Sequence, residues 1–327
     1  MKLALLLLVL IAAVAIGTWF LFLRNPAARP PILPLTLTEA QRRMAGMLRN
    51  DAVALATHIG ERNVFRREGL DAAATHVTNE LVAAGYDARG QLYEVYGVEC
   101  ANLEAEIVGS ARASEVVVIG AHYDSVMGSP GGNDNGSGVA VLLALARRFA
   151  GSKPARTVRF VFFVNEEPPF FQTGNMGSLV YARRSKDRGE NITAMIAFDA
   201  VGYYSDEPGS QEYPAPIGAI YPSTGNFIAF VSNLSSRALL DRVVGVFDRA
   251  VPLPAERAAL PDALPGVGWS DHWSFWKMGW PAVMITDTAV YRDPKYHTAA
   301  DTPERLDYDR MALLVDGVAA VIEDLAS

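Results

Sequence analysis

Five side chains able to hold a metal or move a proton fall just beyond apolar runs of this 327-residue chain, or in turns of small residues. His122 follows Val116–Ile119 within Gly120-Ala-His-Tyr-Asp-Ser-Val126. Asp134 sits in the turn Asn133-Asp-Asn-Gly-Ser-Gly138. The run Val158–Val164 leads into Asn165-Glu-Glu167, Asp199 follows Phe198, and His297 stands in Tyr296-His-Thr298. Acids and imidazoles at the ends of buried strands are what a metal site in an open α/β sheet requires. A solvated turn explains any one of these acids; it does not readily explain five positions that include an adjacent Glu-Glu pair. Consecutive carboxylates after a strand point to opposite faces, so one can hold a metal while the other addresses its bound water. Without cations, so many acids would repel and raise one another's affinity for protons.

Composition narrows the donors. Cys100 is the only cysteine, which excludes an intramolecular disulfide and thiolate metal clusters. Any metal must be held by His, Asp and Glu, and the five histidines are at 58, 76, 122, 272 and 297. The 29 Lys and Arg against 36 Asp and Glu give a formal charge of −7, which argues against nucleic acid as a partner. A chain half apolar and one-fifth charged suits a folded globular protein.

The elements that must position these residues alternate. Thr38 is placed to cap a helix running to about Ile59, and Asp71–Ala84 reads as a second helix. Glu94–Val108 and Glu115–Ile119 read as strand, Gly138–Phe149 as helix, Thr157–Val164 as strand, Ser178–Arg184 as helix and Ala194–Phe198 as strand. The spacing predicts one long helix over Phe227–Ala250, a strand at Pro281–Ile285 and a closing helix at Asp309–Leu325. Tyr203–Gly225, rich in Gly, Pro, Ser and Tyr, reads as a long loop, either shaping the entrance to the site or an inert insertion. The pattern implies an α/β fold: a mixed, mostly parallel β-sheet sandwiched between helices.

Taken in chain order, Gly120–Val126, Asn133–Gly138, Asn165-Glu-Glu167, Phe198-Asp199 and Tyr296-His-Thr298 with Asp301-Thr-Pro-Glu304 resemble the two-zinc aminopeptidase family. That clan of zinc exopeptidases includes bacterial leucyl-type aminopeptidases, glutamate carboxypeptidases and glutaminyl cyclases. The resemblance implies two Zn²⁺ per chain bridged by Asp134, with His122 and Asp199 completing one site and Glu167 and His297 the other. It also implies Glu166 as general base, Asp124 orienting His122 through its second nitrogen, and Tyr296 steadying the oxyanion. A cis Asp134–Asn135 peptide is expected on the same ground. The implied activity is an aminopeptidase acting on peptides. The alternatives are a glutamate-carboxypeptidase-like peptidase, a glutaminyl cyclase, which the complete ligand set disfavours, and a non-catalytic binding ectodomain, which would have lost ligands or the base. Co²⁺ or Mn²⁺ could substitute in such sites.

Ahead of the domain, Leu3–Leu23 is 21 residues without a charge, flanked by Lys2 and Arg24. That length favours an uncleaved transmembrane helix over a cleaved signal. The expected organisation is an anchor or signal segment at 1–24, a proline-rich linker at 25–35 and the peptidase domain at 36–327. The domain would then be extracytoplasmic, or secreted if the segment is cleaved.

Other residues invite over-reading. In Ser270-Asp-His-Trp-Ser-Phe-Trp276, Asp271 and His272 read as structural support rather than ligands. Trp273, Phe275, Trp276 and Trp280 read as core more readily than as a substrate cage. His58 and His76 read as ordinary helix residues. Pro168-Pro-Phe-Phe171 departs from the Glu-Glu-x-Gly pattern of many relatives and is expected to reshape the cleft.

Overall fold

A computed structural model describes residues 2–18, 36–214 and 217–327. Its centre is an eight-stranded sheet: β1 (Arg89–Val95), β2 (Val98–Ile107), β3 (Arg112–His122), β4 (Arg156–Phe163), β5 (Asn191–Phe198), β6 (Ile228–Ser232), β7 (Ala255–Ala259) and β8 (Ala282–Thr286). The spatial order is β1-β2-β4-β3-β5-β8-β6-β7. β3, β4, β5 and β8 run parallel, while β1 and β2 pair antiparallel with each other and β2 with β4. β6 is antiparallel to β8 and parallel to β7.

Alternation along the central strands sorts two cores. Val117, Ile119 and Ala121 of β3 join Phe160, Phe162, Ile196 and Phe198 on one face. Val116 and Val118 join Val161, Phe163, Met195 and Ala197 on the other. The first face is covered by α2 (Glu39–Val53), α3 (Arg67–Ala83), α4 (Gly138–Phe149), α6 (Arg237–Ala250) and α8 (Tyr308–Ala326). The second is covered by α5 (Gly177–Asp187) and α7 (His272–Lys277), with Phe275, Trp276 and Trp280 in its core. Burial on both faces explains why the central strands are continuous apolar runs. Thr38 does cap α2, through a reciprocal capping box with Gln41.

Three expectations need correction. Phe227–Ala250 is not one helix: Ile228–Ser232 is strand β6, and the helix begins at Arg237. A short β-branched and aromatic run cannot be told from buried helix by periodicity, and here pairing with β8 and β7 decides it. Glu94–Val108 is not a single strand but the turn and second arm of a hairpin, reversing at Tyr96-Gly97, both with positive φ. The transmembrane helix over Leu3–Leu23 is not upheld by the described residues. Helix α1 spans Lys2–Thr18, 17 residues, or about 26 Å at ~1.5 Å per residue against a hydrocarbon core of about 30 Å. Among the described residues no helix is long and apolar enough to cross a membrane. Residues 19–23, the rest of that run, and the linker at 25–35 lie outside the described residues.

Candidate metal centre

The parallel strands deliver their C-terminal ends to one edge. His122, the last residue of β3, lies in register with Phe163 of β4, and Ala121 with Phe198 of β5. The segments leaving β4 and β5 therefore carry Glu166-Glu167 and Asp199 to the same rim. Asp134 comes from the turn before α4, and His297 from the loop between β8 and α8.

Asp134 stands between the two imidazoles. Its Oδ1 is 3.2 Å from His122 Nε2, and its Oδ2 is 2.9 Å from His297 Nε2. Asp199 Oδ2 approaches His122 Nε2 at 4.0 Å, and Glu167 Oε2 approaches His297 Nε2 at 3.2 Å. Two sets of donors thus gather within 4.8 Å, His122/Asp134/Asp199 and Asp134/Glu167/His297, sharing Asp134. Glu166 belongs to neither set; its Oε2 lies 3.8 Å from His122 Nε2. All of these side chains are buried except His297, which is 28% exposed, so the site opens on that side.

The donor chemistry fits divalent cations. His122 Nε2 and Asp134 Oδ1 are buried and face each other, yet neither makes a hydrogen bond. Two imidazoles and three carboxylates are the nitrogen and oxygen ligands zinc takes. Electrostatics agree. Burial first, and then neighbouring Asp134, push Glu167 up to about 7 and Asp199 to about 6. Burial also drives Glu166 well above the usual carboxylate range, with Asp199 and Glu167 adding to it and His122 opposing. Burial opposes a charge on His122, but Glu166, Asp124 and Asp134 overcome it and hold the imidazole well above its ordinary value. Protons crowd where cations would relieve the repulsion.

The supporting shell was only partly foreseeable. Asp124 lies 3.5 Å from His122 Nδ1, although the hydrogen-bond partner of that nitrogen is the Asp124 carbonyl at 3.3 Å. The Asp124 carboxylate instead accepts the backbone N–H groups of Glu166 and Glu167, both at 3.2 Å. It therefore positions the acid pair as much as the imidazole. Asp301 accepts the N–H groups of Asn133 and Asp134 at 2.7 and 3.1 Å. Asn135 donates to Phe198 O, and its Oδ1 accepts from Ala200 N, tying the turn to the end of β5. The Asp134–Asn135 peptide is cis.

Arg62, absent from the sequence reading, lies fully buried under this turn. Its guanidinium donates to the carbonyls of Gly60, Tyr123, Pro130 and Gly131 at 3.2, 2.6, 2.5 and 2.8 Å. Gly131 has φ +60, and a side chain there would meet the Arg62 guanidinium at 2.9 Å. No local signal marks Arg62, because three of its four carbonyl partners lie more than 60 residues away.

Tyr296 stacks on His297, ring centroids 3.8 Å apart. With Asp199 it also borders an apolar cavity of about 120 Å³ lined by Tyr213, Phe227, Leu260 and Met284, among others. Tyr213 and Tyr221 come from the Gly/Pro/Tyr-rich segment, which therefore forms a wall beside the site. His272 is not a ligand: Nε2 meets Val267 O at 2.8 Å, the ring abuts Trp276, and burial pulls it down to about 4. Asp271 is buried close enough to Glu166 to raise it further. His58 and His76 fall in the segment after α2 and in α3, outside both donor sets.

The family model of peptidase family M28 matches residues 102–322, a span that holds every one of these donors. The chain belongs to peptidase family M28. This M28 chain is 36% identical over 277 residues to the uncharacterized protein YfbL of Escherichia coli, covering 82% of this chain and 84% of that one. It is 27% identical over 239 residues to a probable aminopeptidase of Saccharomyces cerevisiae, covering 68% of this chain but only 56% of the yeast protein. The M28 chain thus spans little more than half of that relative's length. Its fold matches BSAP, a zinc aminopeptidase from Bacillus subtilis, with a TM-score of 0.68 over 86% of this chain and 95% of that one, at 15% identity.

Proposed function

We propose that this M28 peptidase is a two-zinc aminopeptidase that releases N-terminal residues from peptides. The observation carrying the reading is Asp134, shared between two donor sets, with Glu166 3.8 Å from His122 Nε2 and in neither set. His122, Asp134 and Asp199 would hold one ion, and Asp134, Glu167 and His297 the other. Bound there, the ions supply Lewis acidity and ionise water near neutral pH.

The chain's own residues do the rest. Glu166 accepts a proton from the attacking water and delivers it to the departing amine. Burial, which drives its carboxyl well above the usual carboxylate range, makes it a readier proton acceptor than a solvated glutamate. The cavity beside Asp199 and Tyr296 receives the side chain of the residue whose bond is cut. Tyr296 donates its O–H to the developing oxyanion in this reading, and its stack on His297 beside the donor set supports it.

Hydrolysis of a panel of aminoacyl-p-nitroanilides, with a chelator and then zinc, tests this. Cleavage that the chelator abolishes and zinc restores is the expected result. A folded protein carrying two metals per chain that cleaves none of them would overturn the aminopeptidase reading.

The same proposal extends to location. Residues 1–24 serve as an anchor or export segment, 25–35 as a linker, and 36–327 as a peptidase domain outside the cytoplasm. The uncharged run Leu3–Leu23 supports it. Fractionation of cells expressing the full chain checks it, and recovery in the cytosol would refute it.

A further inference from the structure

The run Pro168-Pro-Phe-Phe171, directly after the acid pair, sets an aromatic ring beside the metal centre. The Phe170 N–H donates to Glu167 O at 3.0 Å, so Phe170 is tied to the backbone of a donor residue. Two other segments meet it there. The Phe65 ring stacks on Phe170, centroids 6.3 Å apart and planes 12° apart. Tyr96, at the reversal of the β1–β2 hairpin, tilts against Phe170 at 5.5 Å. The loop bearing Phe65 is fastened to the segment after His122. Arg62 N donates to Ser125 Oγ and Asn63 Nδ2 to Ser125 O, both at 3.1 Å. The next residue, Val126, donates its N–H to Glu167 Oε1 at 3.2 Å.

Phe170 is buried, but Phe65 is 52% exposed, Tyr96 71%, and Met127, which follows Val126, 55%. Single exposed apolar side chains are ordinary on a protein surface. Several gathered beside a site are what contact with an apolar ligand requires. Glu61 and Arg66, on the loop of Phe65, pair with each other at 3.5 Å, which leaves the rings to apolar contact.

This patch is separate from the apolar cavity. The cavity borders Asp199 and Tyr296, and its lining among the described residues holds none of Glu167, Phe65, Tyr96, Met127 and Phe170. The donor sets therefore lie between the two, with Asp199 toward the cavity and Glu167 toward the patch. A peptide whose first side chain fills the cavity, with its carbonyl at the donor sets, must leave past Glu167.

We propose that Phe65, Tyr96, Met127 and Phe170 form the subsite for the residue that follows the cleaved bond, and that it takes a large apolar or aromatic side chain. The proposal deepens the aminopeptidase reading and rests on it. Phe65 and Tyr96 are then specificity residues that touch the substrate away from the reacting atoms. A ring laid on theirs removes apolar surface from water and adds its own stacking, whereas a methyl group reaches little of either.

The test compares leucyl-phenylalanine with leucyl-alanine, which share a first residue and differ only in the second side chain. Release of leucine by the purified zinc-loaded full chain gives kcat/KM for each. The expected preference for leucyl-phenylalanine is about ten-fold, and Phe65→Ala and Tyr96→Asn should each cut it about three-fold. Asparagine suits the hairpin turn, where Tyr96 has φ +52. A ratio of two substrates cancels any loss common to both. Leucyl-alanine cleaved as well as leucyl-phenylalanine by the unaltered protein would overturn the proposal, whatever the variants' folding. So would a ratio that both folded variants leave unchanged. If neither dipeptide is hydrolysed, the aminopeptidase reading falls, and the two dipeptides then serve as ligands in calorimetry. Tighter binding of leucyl-phenylalanine that the two substitutions weaken upholds the patch; equal binding refutes it.

Discussion

Asp301 grips Asp134 from behind: its Oδ2 accepts the backbone N–H of Asp134 at 3.1 Å, while its Oδ1 takes the adjacent Asn133 N–H at 2.7 Å. The carboxylate shared by both donor sets is thus held in place by a second carboxylate, 167 residues away in sequence. Asp301→Ala removes both charge-assisted bonds and frees the turn. Outer contacts of this kind contribute about 10–100-fold in metal affinity. Competition with a chromogenic chelator should show a loss of that order, and Asp301→Asn, which keeps one acceptor oxygen, a smaller one. Unchanged zinc affinity in Asp301→Ala would remove Asp301 from the supporting shell.

Glu166 separates metal binding from turnover, because it lies outside both donor sets. Glu166→Gln keeps the shape and removes the proton acceptor. Turnover should fall by about 10²–10⁴-fold, the usual range for a general acid–base group, with zinc content unchanged. Metal analysis beside steady-state kinetics checks both halves. A variant that retains wild-type kcat would end the assignment of Glu166 as base.

Protons and metal should compete visibly in stability. In the metal-free protein Glu167 and Asp271 are pushed up to about 7 and Asp199 to about 6, burial being the first cause of each. Their unfolded values lie near 4. Between those limits the folded chain binds more protons than the unfolded one, so stability falls as pH rises. His297 adds the same sign above its unfolded value of about 6.5. Burial opposes its charge, but Asp134 and Glu167 hold it up to about 10. Asp134, held below its ordinary value by His122 and His297 despite burial, works oppositely only in acid. His272, pulled down to about 4 by burial, works oppositely below about 6.5 but is outnumbered by the raised carboxyls. The Tm of chelator-treated protein should therefore drop steadily from pH 5 to pH 8. Zinc must displace these protons, so the Tm gap between loaded and stripped protein should widen over the same range. A stripped protein whose Tm rises across it would contradict the assignment.

Arg62 is a structural cation. Burial pulls it down to about 10, still protonated at neutral pH, and Asp124, Asp301 and Asp134 oppose the drop. Arg62→Ala strands four carbonyls and empties a fully buried site, and should cost about 3–5 kcal/mol in urea unfolding. Arg62→Lys should recover part of that, since an ammonium lacks the planar fork. A midpoint shift too small for about 1 kcal/mol would show that water substitutes for the guanidinium.

Much of the site was legible because its ligands sit at strand ends. A buried strand in a covered sheet is an uninterrupted apolar run, so where Val116–Ile119, Val158–Val164 and Ala194–Phe198 stop, the sheet edge begins. His122, Glu166-Glu167 and Asp199 are all found there. The same rule failed at Ile228–Ser232, where four apolar residues and a serine run into a helical pattern and only pairing with β7 and β8 identifies a strand.

By itself, then, the amino-acid order determined the layered α/β architecture, the donor types and their chain order, since backbone periodicity and side-chain chemistry are local properties. The tertiary structure alone decided that Asp134 stands between His122 and His297, that Asp124 grips the acid pair through their amides, and that Arg62 and Asp301 support the turn. Those are relations between segments distant along the chain. They arise from strand register and from the need to satisfy every buried polar group at once, and no window of sequence contains both partners.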